Sequence, residues 1–235
     1  MSQLVLPLRL ADHAVFASFF EHGNESLVAT LSDIAHGATD SHGCWIWGPA
    51  STGKTHLLQA VCESAGDRSV YVPLSMFAAA GPAILDGLAS RELICIDDIQ
   101  CVAGNVDWEL ALFELCNQTF DAGGQLIVAA STAPRECPIG LADLASRLSR
   151  LPVFRVHALD DAERMEALQL RARHRGLKLP DETASYLIKR SRRDMASLYE
   201  LLDKLDLEAL RAKRRLTIPF VREVLESRKV DPDSA

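Results

Sequence analysis

Eight consecutive residues carry the plainest chemistry in this chain: Gly48, Pro49, Ala50, Ser51, Thr52, Gly53, Lys54 and Thr55, in the form G-x-x-x-x-G-K-[S/T]. The glycines let the backbone turn its N–H groups inward on an anion, and a helix starting there adds its partial positive charge. Lys54 is then placed to reach the β- and γ-phosphates of a nucleotide, and the Thr55 hydroxyl to ligate Mg²⁺. Pro49, Ser51, Thr52 and His56 fall beside the same phosphates. The flanks fit. Residues 44–47 are a short apolar run that reads as a buried strand, and Leu57, Leu58 and Val61 repeat at helical spacing. The implied cofactor is ADP or ATP with Mg²⁺.

A second site lies at Leu93-Ile94-Cys95-Ile96-Asp97-Asp98-Ile99. A buried strand has no reason to end in two carboxylates unless a cation is there. Beside a phosphate loop, Asp97 would hold the metal with Thr55, and Asp98 would orient or deprotonate the attacking water. The apolar run 125–130 ends at Ser131 and Thr132, whose hydroxyls could feel the γ-phosphate if the two strands are neighbours. Arg147 and Arg150 precede the run 153–156; arginine suits multidentate phosphate contact, and one here could reach a nucleotide on another subunit. Phe16 and Phe20, ahead of the loop, could stack on adenine or could equally be core.

These residues need strands ending at one edge of a sheet, with helices between them. Strands are expected over 44–47, 69–74, 93–97, 125–130 and 153–156, and helices over 27–34, 108–120 and, interrupted near Gly81 and Pro82, 76–88. The expected class is α/β, a parallel sheet flanked by helices. From about residue 159 the pattern becomes helical only: 161–174, 181–191, 195–212 and 218–227, with Leu198, Leu201, Leu202 and Leu205 forming a stripe. Three regions follow: an N-terminal peptide over 1–10, an α/β domain over 11–158 and a small all-helical domain over 159–235.

Composition excludes several classes. Hydrophobic residues make up 48% of the 235, enough for a buried core, and the formal net charge of −7 argues against a broad basic surface gripping nucleic acid. The six cysteines show no metal-ligand spacing and read as buried, reduced thiols, which suggests a cytoplasmic protein. No run is long enough to span a membrane. Residues 3–8, Gln-Leu-Val-Leu-Pro-Leu, form an apolar segment that reads either as an edge strand or as a tethered peptide for a partner's groove.

The phosphate loop, the Ile96-Asp97-Asp98-Ile99-Gln100 strand end, the Ser146-Arg147-Leu148 stretch and the helical C-terminal region resemble, in this order, an AAA+ ATPase with its P-loop core and helical lid. More narrowly the chain is similar to the nucleotide-binding core of the bacterial replication initiator DnaA, without room for the initiator's DNA-binding helix-turn-helix domain. It resembles most the Hda family of small DnaA homologues, which act in regulatory inactivation of the initiator. Residues 218–221, Ile-Pro-Phe-Val, are also similar to that family. The resemblance implies several roles. Gln3, Leu4, Leu6, Pro7 and Leu8 would dock on the DNA polymerase sliding clamp. Asp97 and Asp98 would be the Walker B pair, Ser131 with Thr132 the sensor 1 region, and Arg147 an arginine finger offered to ATP on DnaA. DNA would be reached only indirectly, and self-association is open. Where the family has its sensor 2 arginine this chain has Ala196, with Arg192 and Arg193 one turn earlier. That departure favours a protein that holds ADP over one that hydrolyses ATP. The alternative is a self-sufficient AAA+ ATPase, such as a helicase loader or clamp-loader subunit; a small-molecule phosphotransferase would need an acceptor pocket that has no signature here.

Overall fold

A computed structural model describes residues 14–190 and 194–227. These residues divide into two compact units, the first made of 14–16 and 21–157, the second of 17–20 and the described residues from 158 onward.

The first unit is built on five parallel strands: β1 (Gly43–Trp47), β2 (Ser69–Pro73), β3 (Leu93–Asp97), β4 (Gln125–Ala130) and β5 (Val153–Arg155), in the order β2-β3-β4-β1-β5. Burial follows that order. The interior β3 is buried throughout and the central β4 nearly so, whereas the edge strand β5 keeps Val153 and Arg155 exposed. Continuous apolar runs are what a parallel sheet covered on both faces requires. Alternate residues separate the two faces: Trp45, Ile94, Ile96, Leu126 and Val128 share one core with Trp108, Leu112, Leu144 and Leu148. Those last four lie on α4 (Val106–Asp121) and α5 (Ala142–Leu148). Two other helices, α1 (Glu25–Ala35) and α2 (Lys54–Ala65), bury Leu31, Ile34, Leu57, Leu58 and Val61.

One expected helix is absent. Over 76–88 there is only the short α3 (Leu74–Phe77), followed by single 3₁₀ turns at Pro82–Leu85 and Leu88–Ser90. Gly81 and Pro82 break the path, because proline has no N–H to continue a helix and clashes with the preceding turn. The cysteine reading needs one correction: five of the six are buried, but Cys101 is exposed.

The second unit contains α6 (Asp161–His174), α7 (Asp181–Arg190), α8 (Met195–Ala212) and α9 (Ile218–Ser227). Its boundaries are written in cap chemistry. The Asp160 carboxylate accepts from the N–H groups of Ala162 and Glu163 while Glu163 accepts from the Asp160 N–H, a capping box, and Asp194 accepts from the Ser197 N–H. The Leu198, Leu201, Leu202 and Leu205 stripe meets Leu168, Leu187, Phe220 and Val221 in one core. Among the described residues no helix is long and apolar enough to cross a membrane.

Candidate functional site

The phosphate loop joins β1 to α2, and two glycines shape it. A Cβ on Gly48 would lie 2.7 Å from the Val156 carbonyl oxygen, closer than backbone tolerates. Gly53 has φ +96° at the N-cap of α2, a left-handed conformation that favours glycine. No side chain caps the start of α2. Its first-turn N–H groups and the helix dipole are thereby offered to an anion. Within the loop, the Thr52 hydroxyl donates to the Pro49 carbonyl at 3.0 Å.

Lys54 is buried, and its Nζ donates to the carbonyls of Gly48 and Pro49, both at 2.8 Å. Burial lowers its pKa, against the attraction of Asp97 and Asp98. The ammonium is therefore held over the loop by neutral acceptors that a phosphate can replace. Ser51 and Thr55 are exposed on the same loop and helix start. His56 is committed elsewhere: its Nε2 hydrogen-bonds the Val15 carbonyl at 3.0 Å.

Parallel register brings Asp97 to the loop. Asp97 is 1% exposed, and its Oδ2 accepts from the Thr55 hydroxyl at 2.7 Å and the Tyr71 hydroxyl at 2.9 Å, while Oδ1 accepts from the Asp98 N–H at 3.0 Å. Tyr71 was not a sequence candidate; it reaches Asp97 because β2 and β3 pair with Pro73 opposite Asp97. A threonine hydroxyl against a carboxylate is a hard-oxygen pair of the kind Mg²⁺ takes. Among the described residues no cluster of three or more His, Cys, Asp or Glu could hold a metal by itself. A cation on Thr55 and Asp97 would complete its shell with phosphate oxygens and water, which is how Mg²⁺ is usually held. The residues present fit the group.

Burial raises the Asp97 carboxyl above its ordinary range; the Thr55 hydrogen bond opposes this and the Asp98 charge adds to it. An Asp with a raised folded-state pKa costs stability once ionised, and the cost appears as pH rises from the unfolded-state value through the folded one. Asp97→Asn is therefore expected to raise the melting temperature of nucleotide-free protein at neutral pH by about 2–4 °C per kcal/mol recovered. The gain should vanish in acid, and Mg²⁺-dependent nucleotide affinity should fall. Thermal melts across pH check this; a lower neutral-pH melting temperature would refute it.

Asp98 sits in the left-handed region at φ +57°, turning the chain out of β3. Its Oδ1 accepts from Gln100 Nε2 at 2.9 Å, and Gln100 Oε1 accepts from the Ser131 N–H at 3.1 Å. Ser131, exposed at the end of β4, is thus joined to Asp98 through Gln100. Gln100 too was missed by reasoning from residue types. The two aromatics part company: Phe16 falls in the first unit, whereas Phe20 packs against the core of the second.

Arg147 is half-buried on α5, with its guanidinium 5.8 Å from the Phe113 ring centre and 5.9 Å from that of Phe120. No carboxylate pairs with it among the described residues. Arg150 is exposed. Ala196 is exposed in the first turn of α8, where a methyl group can make no phosphate contact. Gln3, Leu4, Leu6, Pro7 and Leu8, and also Arg192 and Arg193, lie outside the described residues.

A parallel sheet with this strand order, a phosphate loop after β1, paired acids at the end of β3 and a helical unit later in the chain are the architecture of an AAA+ P-loop core with a lid. Residues 161–225 match the family model for the Hda lid domain. The fold is similar to domain III of the replication initiation protein DnaA from Thermotoga maritima (TM-score 0.76, 18% identity, covering 92% of this chain and 97% of that one). It is similar too to AMPPCP-bound DnaA from Aquifex aeolicus (TM-score 0.66, 21% identity, 85% and 67%) and to the Thermotoga maritima RuvB Holliday junction branch migration motor (TM-score 0.64, 19% identity, 90% and 70%). The family match is thus to the lid, over residues 161–225, and the likeness to DnaA is one of fold.

Proposed function

We propose that this chain is an ADP-bound adaptor that binds the DNA-loaded sliding clamp and stimulates ATP hydrolysis by the replication initiator DnaA, so preventing re-initiation. The observation that carries the reading is Arg147. It is a cation held over two rings, without an ion pair among the described residues, in a chain whose lid matches the Hda family. An arginine left unneutralised at the end of a short helix is suited to stabilising charge on a phosphoryl group held by another subunit.

Lys54, the α2 N-terminus and Thr55 with Asp97 would hold the chain's own nucleotide. Bound Mg²⁺ would neutralise phosphate charge there. Asp98 would orient a water, but Ala196 supplies no second cation, which favours retention of ADP over turnover. Residues 3–8 would tether the protein to the clamp, and tethering raises effective concentration so that each contact can be weak.

A pull-down on sliding clamp tests the tether. The intact chain is expected to be retained and a chain lacking residues 1–8 to lose retention, because residues 3–8 are the one contact proposed for the clamp. Undiminished retention would remove the adaptor reading. It would favour a self-sufficient ATPase, for which basal turnover by the protein alone would be the sign.

A further inference from the structure

Glu109 lies in the first turns of α4, where a carboxylate is ordinarily solvated, yet it is 3% exposed. Its Oε1 accepts from the N–H of Gly104 at 2.6 Å and of Gly140 at 2.9 Å, and its Oε2 from the N–H of Leu141 at 2.7 Å. Burial alone would raise this carboxyl, but the three N–H donors outweigh it and hold the group below the usual range. It is a buried anion, satisfied wholly by backbone.

The placement of those donors matters. Leu141 is the N-cap of α5, and no side chain caps that helix. Arg147 is on the last turn of α5, six residues on. At its other end, the segment from Ser131 to Leu141 is held by Gln100, which joins the Ser131 N–H to the Asp98 carboxylate. Both anchors, Gln100 and Glu109, come from the stretch that follows Asp98. The connection between β4 and α5 is therefore pinned at each end to the chain leaving the Asp97–Asp98 strand end.

The geometry points to Glu109 as a positioning residue for Arg147, with Gln100 as its second anchor: together they fix where α5 starts and so where the guanidinium is presented. This rests on the finger reading of Arg147. Both carboxylate oxygens of Glu109 are taken up by those backbone N–H groups. Its effect is to hold a seven-residue helix by the N–H of its N-cap residue, Leu141, where a small displacement is carried along the helix axis to Arg147.

Glu109→Gln preserves the size of the side chain but replaces one acceptor oxygen by an NH₂ group, which faces a backbone donor. The full-length variant is titrated against ATP-loaded DnaA, with clamp and DNA present. The maximal stimulated hydrolysis rate is expected to fall by at least about tenfold, the scale of an ångström-sized misplacement, with half-maximal concentration and ADP affinity within about twofold of the parent. Amide exchange at Gly140 and Leu141 should speed up by about tenfold or more while that of β4 is unchanged. Gln100→Met, at a half-buried position, is expected to lower the same maximal rate by about threefold or more. Maximal rates within twofold of the parent for both variants, in a preparation where Arg147→Ala has lost stimulation, would overturn the positioning role alone. Stimulation that survives Arg147→Ala would instead overturn the finger reading and this inference with it.

Discussion

Arg147→Ala is expected to lower initiator-stimulated hydrolysis by about 10³-fold or more, the range that arginine fingers contribute when they stabilise a transferring phosphoryl group. ADP binding by the variant and its retention on the clamp should match the parent. The charge explains the size of the effect. Arg147 has an aromatic platform in Phe113 and Phe120 and no ion pair among the described residues, so its charge remains available to a phosphate. The same geometry limits the structural cost. Cation–π contacts at part-exposed sites are worth about 0.5–1 kcal/mol, and for a chain of this size that corresponds to a melting shift of a few degrees (about 2–4 °C per kcal/mol). Arg147→Lys is a sharper control. It keeps the charge but loses the planar fork and the flat stacking surface, so it should recover little of the stimulation. A single-turnover assay on ATP-loaded initiator measures the stimulation, and thermal melts the structural cost; stimulation within tenfold of the parent in Arg147→Ala would sink the assignment.

The phosphate loop and the central strands were legible because their chemistry ties residue type to spacing. Gly48, Gly53, Lys54 and Thr55 must fall at fixed intervals for backbone N–H groups, ammonium and hydroxyl to meet one anion. The apolar runs 93–96 and 126–130 read as strands covered on both faces, and their burial in the interior of the sheet agrees. What escaped were side chains whose role depends on register. Tyr71 looks like any aromatic in a β-rich stretch until β2 and β3 are aligned and its hydroxyl meets Asp97. Glu109 has the sequence signature of a solvated acid near a helix N-terminus, where acids are ordinary. Only the path of the segment ending at Leu141 turns it into a buried clamp. Residues 76–88 fail differently. Their apolar content is that of a buried helix, but it serves short turns that cover the edge of the core, where Ile84, Leu85 and Leu88 pack. Phe20 packs against the helical core, a partnership that residue type alone does not disclose.

Lys54→Ala bears on the chain's own nucleotide and should produce the second large change. Charge-assisted hydrogen bonds are worth about 1.5–3 kcal/mol each, so losing the ammonium that would reach the β-phosphate should weaken ADP binding by about 10–10²-fold. Melting reports this without any activity assay. A ligand present at a thousand times its dissociation constant stabilises the fold by about 4.1 kcal/mol, and a hundredfold weaker site leaves about 1.4 kcal/mol of that. The stabilisation by ADP and Mg²⁺ should therefore largely disappear. Without nucleotide, two effects oppose each other. Removing a buried ammonium relieves its desolvation, but the Gly48 carbonyl that Lys54 bonds is itself buried, and an orphaned buried acceptor costs about 1–3 kcal/mol. Asp97 and Asp98 also lose the cation that attracts them. The losses outnumber the gain, so the nucleotide-free variant should melt a few degrees lower, by about 2–4 °C per kcal/mol. An unchanged ADP-induced shift would mean that the phosphates are held somewhere other than over this loop, and the alignment of Thr55 with Asp97 would then need another explanation.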